Sequence, residues 1–233
     1  MPTGGRHRQG AARGRVPWHA RGVRKFVIMG VQGSGKGTQA KLLADAYDLV
    51  HVSVGDIFRW NVQRHTKLGA HVRRVVAAGQ LVDDELVEQV VRDRLSLHDW
   101  NYGFIIDGFP RNVRQAAFFL ESYDIDGVID LALPDAEVER RVLARRLCSG
   151  CGLDYNLIAH RPAVDDVCDV CGSSLVTRPD DTPEALAVRL REYHEKTAPV
   201  IELFQRKEFV GAIDATQPIE AVQSEIRTRF GLA

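Results

Sequence analysis

Acidic residues are missing from the first 25 positions, which carry Arg6, Arg8, Arg13, Arg15, Arg21, Arg24 and Lys25. Long hydrophobic runs are missing as well. No stretch approaches the roughly 18 to 20 apolar residues that a membrane-spanning helix needs, and no basic segment followed by an apolar one marks a secretory signal. These absences argue against membrane and export readings, so the expected location is the cytoplasm. Cysteine is scarce: the four in the chain all fall between positions 148 and 171. Without a secretory signal, such sparing use disfavours a disulfide framework.

The charge balance is uneven. Removing the seven basic residues of the first 25 positions leaves 24 basic against 31 acidic ones, so the remainder is acidic even though the whole chain is neutral. An acidic body argues against a general nucleic-acid surface, and its positive charge should be local. With 45% hydrophobic residues in 233, the chain can bury one sizeable core with small inserted subdomains. Residues 1–22, rich in Gly, Arg and Ala without apolar periodicity, are expected to be a disordered basic extension. As a targeting segment it lacks serines and amphipathic pattern. A polyanion-binding arm is a second reading. A non-functional extension, with translation starting near Val23, is the preferred one.

From Val23 onward, short apolar runs alternate with helical patterns, which predicts a parallel sheet covered on both faces. The strands are expected at 26–29, 49–52, 104–106, 128–133 and 209–213. Helices are expected at 37–47, 56–64, 67–78, 83–97, 112–121, 135–146, 182–206 and 218–229.

Between the first strand and first helix lies Gly30-Val31-Gln32-Gly33-Ser34-Gly35-Lys36-Gly37-Thr38. Glycines let backbone amides close around phosphate oxygens, the helix N-terminus adds partial positive charge, and Lys36 reaches the outer phosphates. The usual pattern has Ser or Thr directly after the lysine, whereas here Gly37 intervenes before Thr38. An ordinary glycine turn is the bland alternative, and the flanking strand and helix speak against it. Farther on, Asp56 and Arg59 open a helix after the second strand, at the sheet edge where ligands bind. Asp107 ends a buried strand before Gly108-Phe109-Pro110-Arg111. A lone carboxylate there is costly, so it should face the phosphate cradle or its magnesium rather than merely cap a turn.

Cys148-x2-Cys151 and Cys168-x2-Cys171, with 16 residues between the pairs, fit a tetrahedral thiolate zinc site. Gly150, Gly152 and Gly172 beside them permit tight turns. Two disulfides, or a redox C-x-x-C, are the weaker alternatives. Four thiolates leave zinc no open position, so the metal would be structural. Arginines flank the quartet: Arg141, Arg145 and Arg146 before it, Arg178 and Arg189 after it. Positions 141 and 145 are expected on one helix face, while Arg140 and Arg146 are read as solvated charges.

Three motifs together, G-x-x-G-x-G-K-G-T from Gly30, S-x-G-D-x-x-R from Ser53 and D-G-F-P-R-x-x-x-Q from Asp107, resemble the adenylate kinase family. The resemblance runs from about Val23 to the C-terminus and includes Glu192 to Pro199 and Asp214-Ala215-Thr216. It implies a P-loop three-layer α/β fold with a central parallel five-stranded sheet, a small helical NMP-binding subdomain and an inserted zinc-stapled lid. The core would be 23–52, 83–143 and 182–233, the NMP-binding subdomain 53–82 and the lid 144–181.

The resemblance also implies reversible, magnesium-dependent transfer of a phosphoryl group from ATP to AMP, giving two ADP under a closing lid. ATP would be held by Gly33, Ser34, Gly35, Lys36, Gly37, Thr38, Arg141 and Arg145, with Arg141 stacked on the base. AMP would be held by Val54, Arg59, Val82, Gly108, Arg111, Gln115, Arg178 and Arg189. Catalysis would rest on Lys36, Asp107, Arg111, Arg145, Arg178 and Arg189, with Asp180 and Asp181 as hinge acids. Such an enzyme would be a monomer with structural Zn2+ on Cys148, Cys151, Cys168 and Cys171. His51, His98, His160 and His194 are read as structural or surface residues.

Two positions depart from the family pattern. Val54 stands where the family usually has a threonine against the acceptor adenine, as in kinases of pyrimidine monophosphates, whereas Gln115 matches the family's adenine-reading glutamine. Gln32 replaces a proline common in the phosphate loop. The alternatives kept open are a kinase of UMP or CMP and a zinc-ribbon protein switched by nucleotide.

Overall fold

The computed structural model describes residues 24–232. The extension expected over 1–22 and the start near Val23 lie outside the described residues. Five parallel strands, β1 (Lys25–Gly30), β2 (Leu49–Ser53), β3 (Gly103–Asp107), β4 (Gly127–Ala132) and, late in the chain, β8 (Val210–Asp214), form one sheet in the order β2-β3-β1-β4-β8. The P-loop α/β fold expected from the sequence is present. Strands buried on both faces read as continuous apolar runs, which is why Phe26–Met29 and Phe104–Ile106 stood out.

Side-chain alternation along these strands divides the core into two layers. Phe26, Ile28, Ile105, Ile129 and Ile213 point to one face, where α1 (Lys36–Tyr47), α6 (Asp135–Leu143) and α9 (Ile219–Arg229) cover them with Leu43, Val138 and Ile226. Val27, Phe104, Ile106 and Val128 point to the other. There α2 (Val54–Gln63), α4 (Asp84–Ser96), α5 (Val113–Ser122) and α8 (Ala198–Lys207) supply Phe58, Leu95, Phe119 and Phe204. Truncating a ring such as Phe119, which is fully buried, to alanine costs about 3–5 kcal/mol.

Five of the nine helices among the described residues begin on side-chain caps. Ser53 accepts from the Asp56 amide, Asn112 from Gln115, and Asp83 from Glu85 and Leu86; Thr66 caps α3 (Lys67–Ala77) and Thr182 caps α7 (Pro183–Glu192) in the same way. Helix α1 does not: its N-cap is Gly35, at φ 90°, with no side-chain cap and no acid in its first turn. Its leading amides are left for an anion.

The predicted helix over 182–206 is two helices, α7 and α8, joined by a π-turn at Tyr193–Thr197. Within it the Thr197 hydroxyl donates to the Arg111 carbonyl at 2.8 Å. The helix expected over 135–146 stops at Leu143, and Arg145 instead opens strand β5 (Arg145–Cys148). Hence Arg141 and Arg145 do not share a helix face. Strand pairing displaces the last turn: β5 is central to a small antiparallel sheet between β6 (Asp154–Asn156) and β7 (Leu175–Val176). The carbonyls at the helix end find partners there, Arg141 from Asn156 Nδ2 at 3.0 Å and Ala144 from the Leu157 amide at 2.9 Å. Arg146, read as solvated, caps the Leu143 carbonyl at 3.0 Å.

Candidate active site

The phosphate loop lies at the carboxyl end of β1, the middle strand of the sheet. Gly30, at φ 137°, passes so close to β4 that a Cβ there would meet the Leu131 carbonyl at 2.5 Å; only glycine permits that approach. Ser34 Oγ is buried without a partner, an orphan inside the loop that an anion's oxygens satisfy. Thr38 is exposed in the first turn of α1. Arg141 flanks the loop, its Cβ 3.7 Å from where one on Gly33 would be.

Asp107, at the end of β3, overhangs α1: its Oδ2 is 3.5 Å from the Cβ position of Gly37. Burial pushes its carboxyl up, but His51 and Lys36 prevail and hold it below the usual range. Asp107 and the Thr38 hydroxyl are hard oxygen groups at one end of the loop, a donor set that fits magnesium arriving with a polyphosphate. His51, read as structural, is a neighbour of this acid that sequence reasoning missed: its Nε2 is 3.8 Å from Asp107 Oδ2. The parallel pairing of β2 with β3 makes them neighbours, and no local motif announces it. The other three histidines fit the earlier reading: His98 is buried among Trp100 and Phe104, His160 stacks on Tyr155, and exposed His194 pairs with Asp135.

Beside this loop is a cleft with an apolar end, Val54, Phe58, Val76, Leu81, Val82 and Val87, and a cationic end, Arg59, Arg111 and Arg189. Arg59 lies over Gly55, where a Cβ would stand 3.1 Å from its guanidinium, and pairs with Asp56. Arg111 Nε donates to the Gly108 carbonyl at 2.8 Å. Gln115 lines the cleft, but both ends of its amide are engaged by the protein: Oε1 accepts from the Arg111 amide and Nε2 donates to Asp84 Oδ1, each at 2.8 Å.

The arginines flanking the cysteines close over the same locus. Arg145 is gripped by Asp181, Arg189 by Asp180, and Arg178 by Asp154 of β6. Burial lowers Lys36 to about 8, with Asp107 opposing and Arg111, Arg145 and Arg189 adding to the fall. Burial likewise lowers Arg111 to about 10, helped by Arg189 and Arg59. Arg178 is depressed by burial, then by Arg145 and Arg59, and its Nε is buried without a partner. Six cationic groups from the loop, the cleft and the cysteine-bearing segment thus crowd one space. Protein carboxylates offset much of that charge, and the depressed pKa values of Lys36, Arg111 and Arg178 mark a space that favours an anion.

In the small sheet the four cysteine sulfurs all lie within 4.8 Å of one another. The pairs Cys148–Cys171 and Cys151–Cys168 stand at 3.3 and 3.6 Å, close to the edge of a tetrahedron of thiolates around zinc. The Tyr155 hydroxyl lies 3.5 Å from Cys168 Sγ. That contact leads the causes that draw Cys168 down to about 6. The four cysteines can hold a zinc ion.

Comparison with known proteins agrees with this geometry. The family model for adenylate kinase matches residues 28–209. The adenylate kinase of Lachnospira eligens is 39% identical over 207 residues, covering 87% of this chain and 97% of that one. Those of Salinispora tropica and Thermosipho africanus are each 42% identical, over 85% and 86% of this chain and 94% and 96% of their own. Matches of this extent and identity show that the chain belongs to the adenylate kinase family.

Proposed function

We propose that this protein transfers the terminal phosphoryl group of ATP to AMP, reversibly, giving two ADP. The observation that carries the reading is the convergence of Lys36, Arg59, Arg111, Arg145, Arg178 and Arg189 between the phosphate loop and the apolar cleft. Such a space takes two phosphate chains end to end.

In the reaction an oxygen of the AMP phosphate attacks the γ-phosphorus as the bond to the β-phosphate oxygen breaks. That exchange needs alignment, charge neutralisation and dryness more than covalent help. We assign the ATP phosphates to the amides of Gly33, Ser34, Gly35, Lys36, Gly37 and Thr38 and to the Lys36 ammonium, with Arg141 on the base. Magnesium, when bound with ATP, would offset the charge of the phosphates, and Thr38 and Asp107 would hold it. Arg59 and Arg111 would clamp the AMP phosphate by bidentate contacts, which suit guanidinium geometry. Arg145, Arg178 and Arg189 would surround the migrating group and hold water out.

The acceptor base would rest among Val54, Val82 and the Gly108 backbone, with Gln115 at its edge. Gln115 already serves Arg111 and Asp84, which fixes its amide and leaves one N–H and one lone pair for adenine. We assign residues 53–82 to acceptor binding, 144–181 to a lid, and 23–52, 83–143 and 182–233 to the core. In the lid, Cys148, Cys151, Cys168 and Cys171 would hold Zn2+ with no open position, a structural ion. A monomer in the cytoplasm, without nucleic-acid or membrane partners, completes the reading. The acidic balance after position 25 speaks against a general nucleic-acid surface, and among the described residues no helix is long and apolar enough to cross a membrane. A coupled assay with ATP and each of AMP, UMP, CMP and GMP tests it: turnover is expected with AMP foremost, and none with all four would sink the assignment.

A further inference from the structure

Gln32 occupies the loop position where a proline is common, and its side chain is not idle. Its Nε2 donates to Asp181 Oδ1 at 3.2 Å, across 149 positions of sequence. The Asp181 side chain is fully buried. Its Oδ2 accepts from Arg145 Nε at 2.7 Å, and Oδ1 takes the other arm of the same guanidinium, with Arg189 Nη1 at 3.8 Å. One carboxylate oxygen therefore gathers donors from the phosphate loop, the first residue of β5 and helix α7.

We propose that Gln32 is a positioning residue of this enzyme: through Asp181 it couples the conformation of the phosphate loop to the placement of Arg145 over the donor phosphates. The proposal rests on the assignment of Arg145 to ATP made above. A neutral amide suits the task. It adds a hydrogen bond to a buried charge while leaving the balance between one carboxylate and two guanidiniums unchanged, whereas a lysine there would compete with Arg145 for the acid. A proline at this position, having no donor, leaves the loop and the Asp181–Arg145 pair to move independently. In this chain, a loop closed on phosphate also fixes the lone pair against which Arg145 is seated, so loop order and arginine placement become one event.

The test uses Gln32→Met, which keeps length and removes the donor, and Gln32→Glu, which sets a second carboxylate against Asp181. Steady-state kinetics, direct titration of ATP and amide exchange over residues 145–181 at saturating ATP are read for each. Loss of one hydrogen bond to a charged group predicts about a tenfold weaker ATP affinity for Gln32→Met. A larger loss is expected for Gln32→Glu. The KM for AMP should stay within about twofold, and lid amides should exchange faster while those of β1, β3 and β4 do not change. The inference is overturned if Gln32→Met matches the wild type in ATP affinity and lid exchange. It is also overturned if both substrates weaken equally alongside a fall in melting temperature, the mark of a structural role. Absence of turnover in the wild type would instead overturn the assigned activity, and the ATP titration and exchange would still decide the Gln32 link.

Discussion

His51 Nε2 stands 3.8 Å from Asp107 Oδ2, buried and without a hydrogen-bond partner. The distance is within ion-pair reach and too long for a hydrogen bond, so the ring biases the carboxylate without occupying its lone pairs. Those remain for a hydrated metal. Replacing His51 with Leu removes that bias and leaves Lys36 alone to oppose burial at Asp107. The magnesium concentration giving half-maximal velocity should rise about tenfold, with KM for AMP unchanged. An unaltered magnesium titration would show that the ring serves packing alone.

Lys36 supplies a pH dependence whose sign can be worked out. Burial lowers its pKa from 10.5 to about 8, so in the nucleotide-free protein the amine is charged below about pH 8 and neutral above it. ATP prefers the charged form. Its dissociation constant should therefore climb by up to about tenfold per pH unit above 8, and Lys36→Arg should abolish the climb while costing activity. For folding, the unfolded chain keeps its proton up to 10.5, so the penalty is full below pH 8 and is relieved as pH rises from 8 toward 10.5. ATP titrations from pH 7 to 10 check the first statement, and urea unfolding over the same range the second.

The cysteine quartet predicts one zinc per chain, measurable by native mass and elemental analysis. Cys168→Ser should lose the ion. Because the segment's apolar cluster is only Cys148, Tyr155, Cys168 and Leu175 with Leu153 against it, metal supplies most of its folding energy. Chelation should therefore abolish amide protection between 145 and 176 while leaving the central sheet protected. Protection that survives chelation would mean that zinc is dispensable to the segment.

Val54 is 3% exposed in the apolar lining of the cleft proposed to take the acceptor and would offer a base shape without a hydroxyl. Val54→Thr should raise the preference for AMP over UMP by about fivefold, the worth of roughly one ordinary hydrogen bond. Ratios of kcat/KM for the two acceptors measure it. No change in the ratio would leave base choice to Gln115 and the backbone.

Thr197 predicts a link between the π-turn and the acceptor site. Thr197→Val keeps the shape and removes the hydroxyl that reaches the Arg111 carbonyl. It should cost about 1 kcal/mol of stability and raise KM for AMP more than KM for ATP. An equal rise in both would place the effect in general loosening.

Much of this was readable from short-range signals. The phosphate loop, the strand-end Asp107 and the two C-x2-C pairs are local patterns, and local patterns survive folding. The runs at 26–29 and 104–106 named central strands because a parallel sheet buries both faces. What escaped detection depends on pairing across the chain. Helix α6 ends at Leu143 because Asn156 and Leu157 capture its terminal carbonyls, and helix propensity carries no news of a hairpin ten residues on. The π-turn hides inside an unbroken helical periodicity. Likewise the composition around Gln115 gave no warning that Arg111 and Asp84 occupy its amide, nor did that around Gln32 foretell Asp181.

Arg145 and Asp181 stand at the two ends of the cysteine-bearing segment, and their ion pair ties those ends together at the surface of the core. The segment is thereby a closed bight whose roots are fixed whatever lies between them. Closing a longer or shorter bight changes the entropic cost only logarithmically, so the interior can be rebuilt with little consequence at the roots. An engineer who transplants 146–180 between relatives needs to match that junction together with the Asp180–Arg189 pair, the Asn156 and Leu157 contacts that close helix α6, and Arg178.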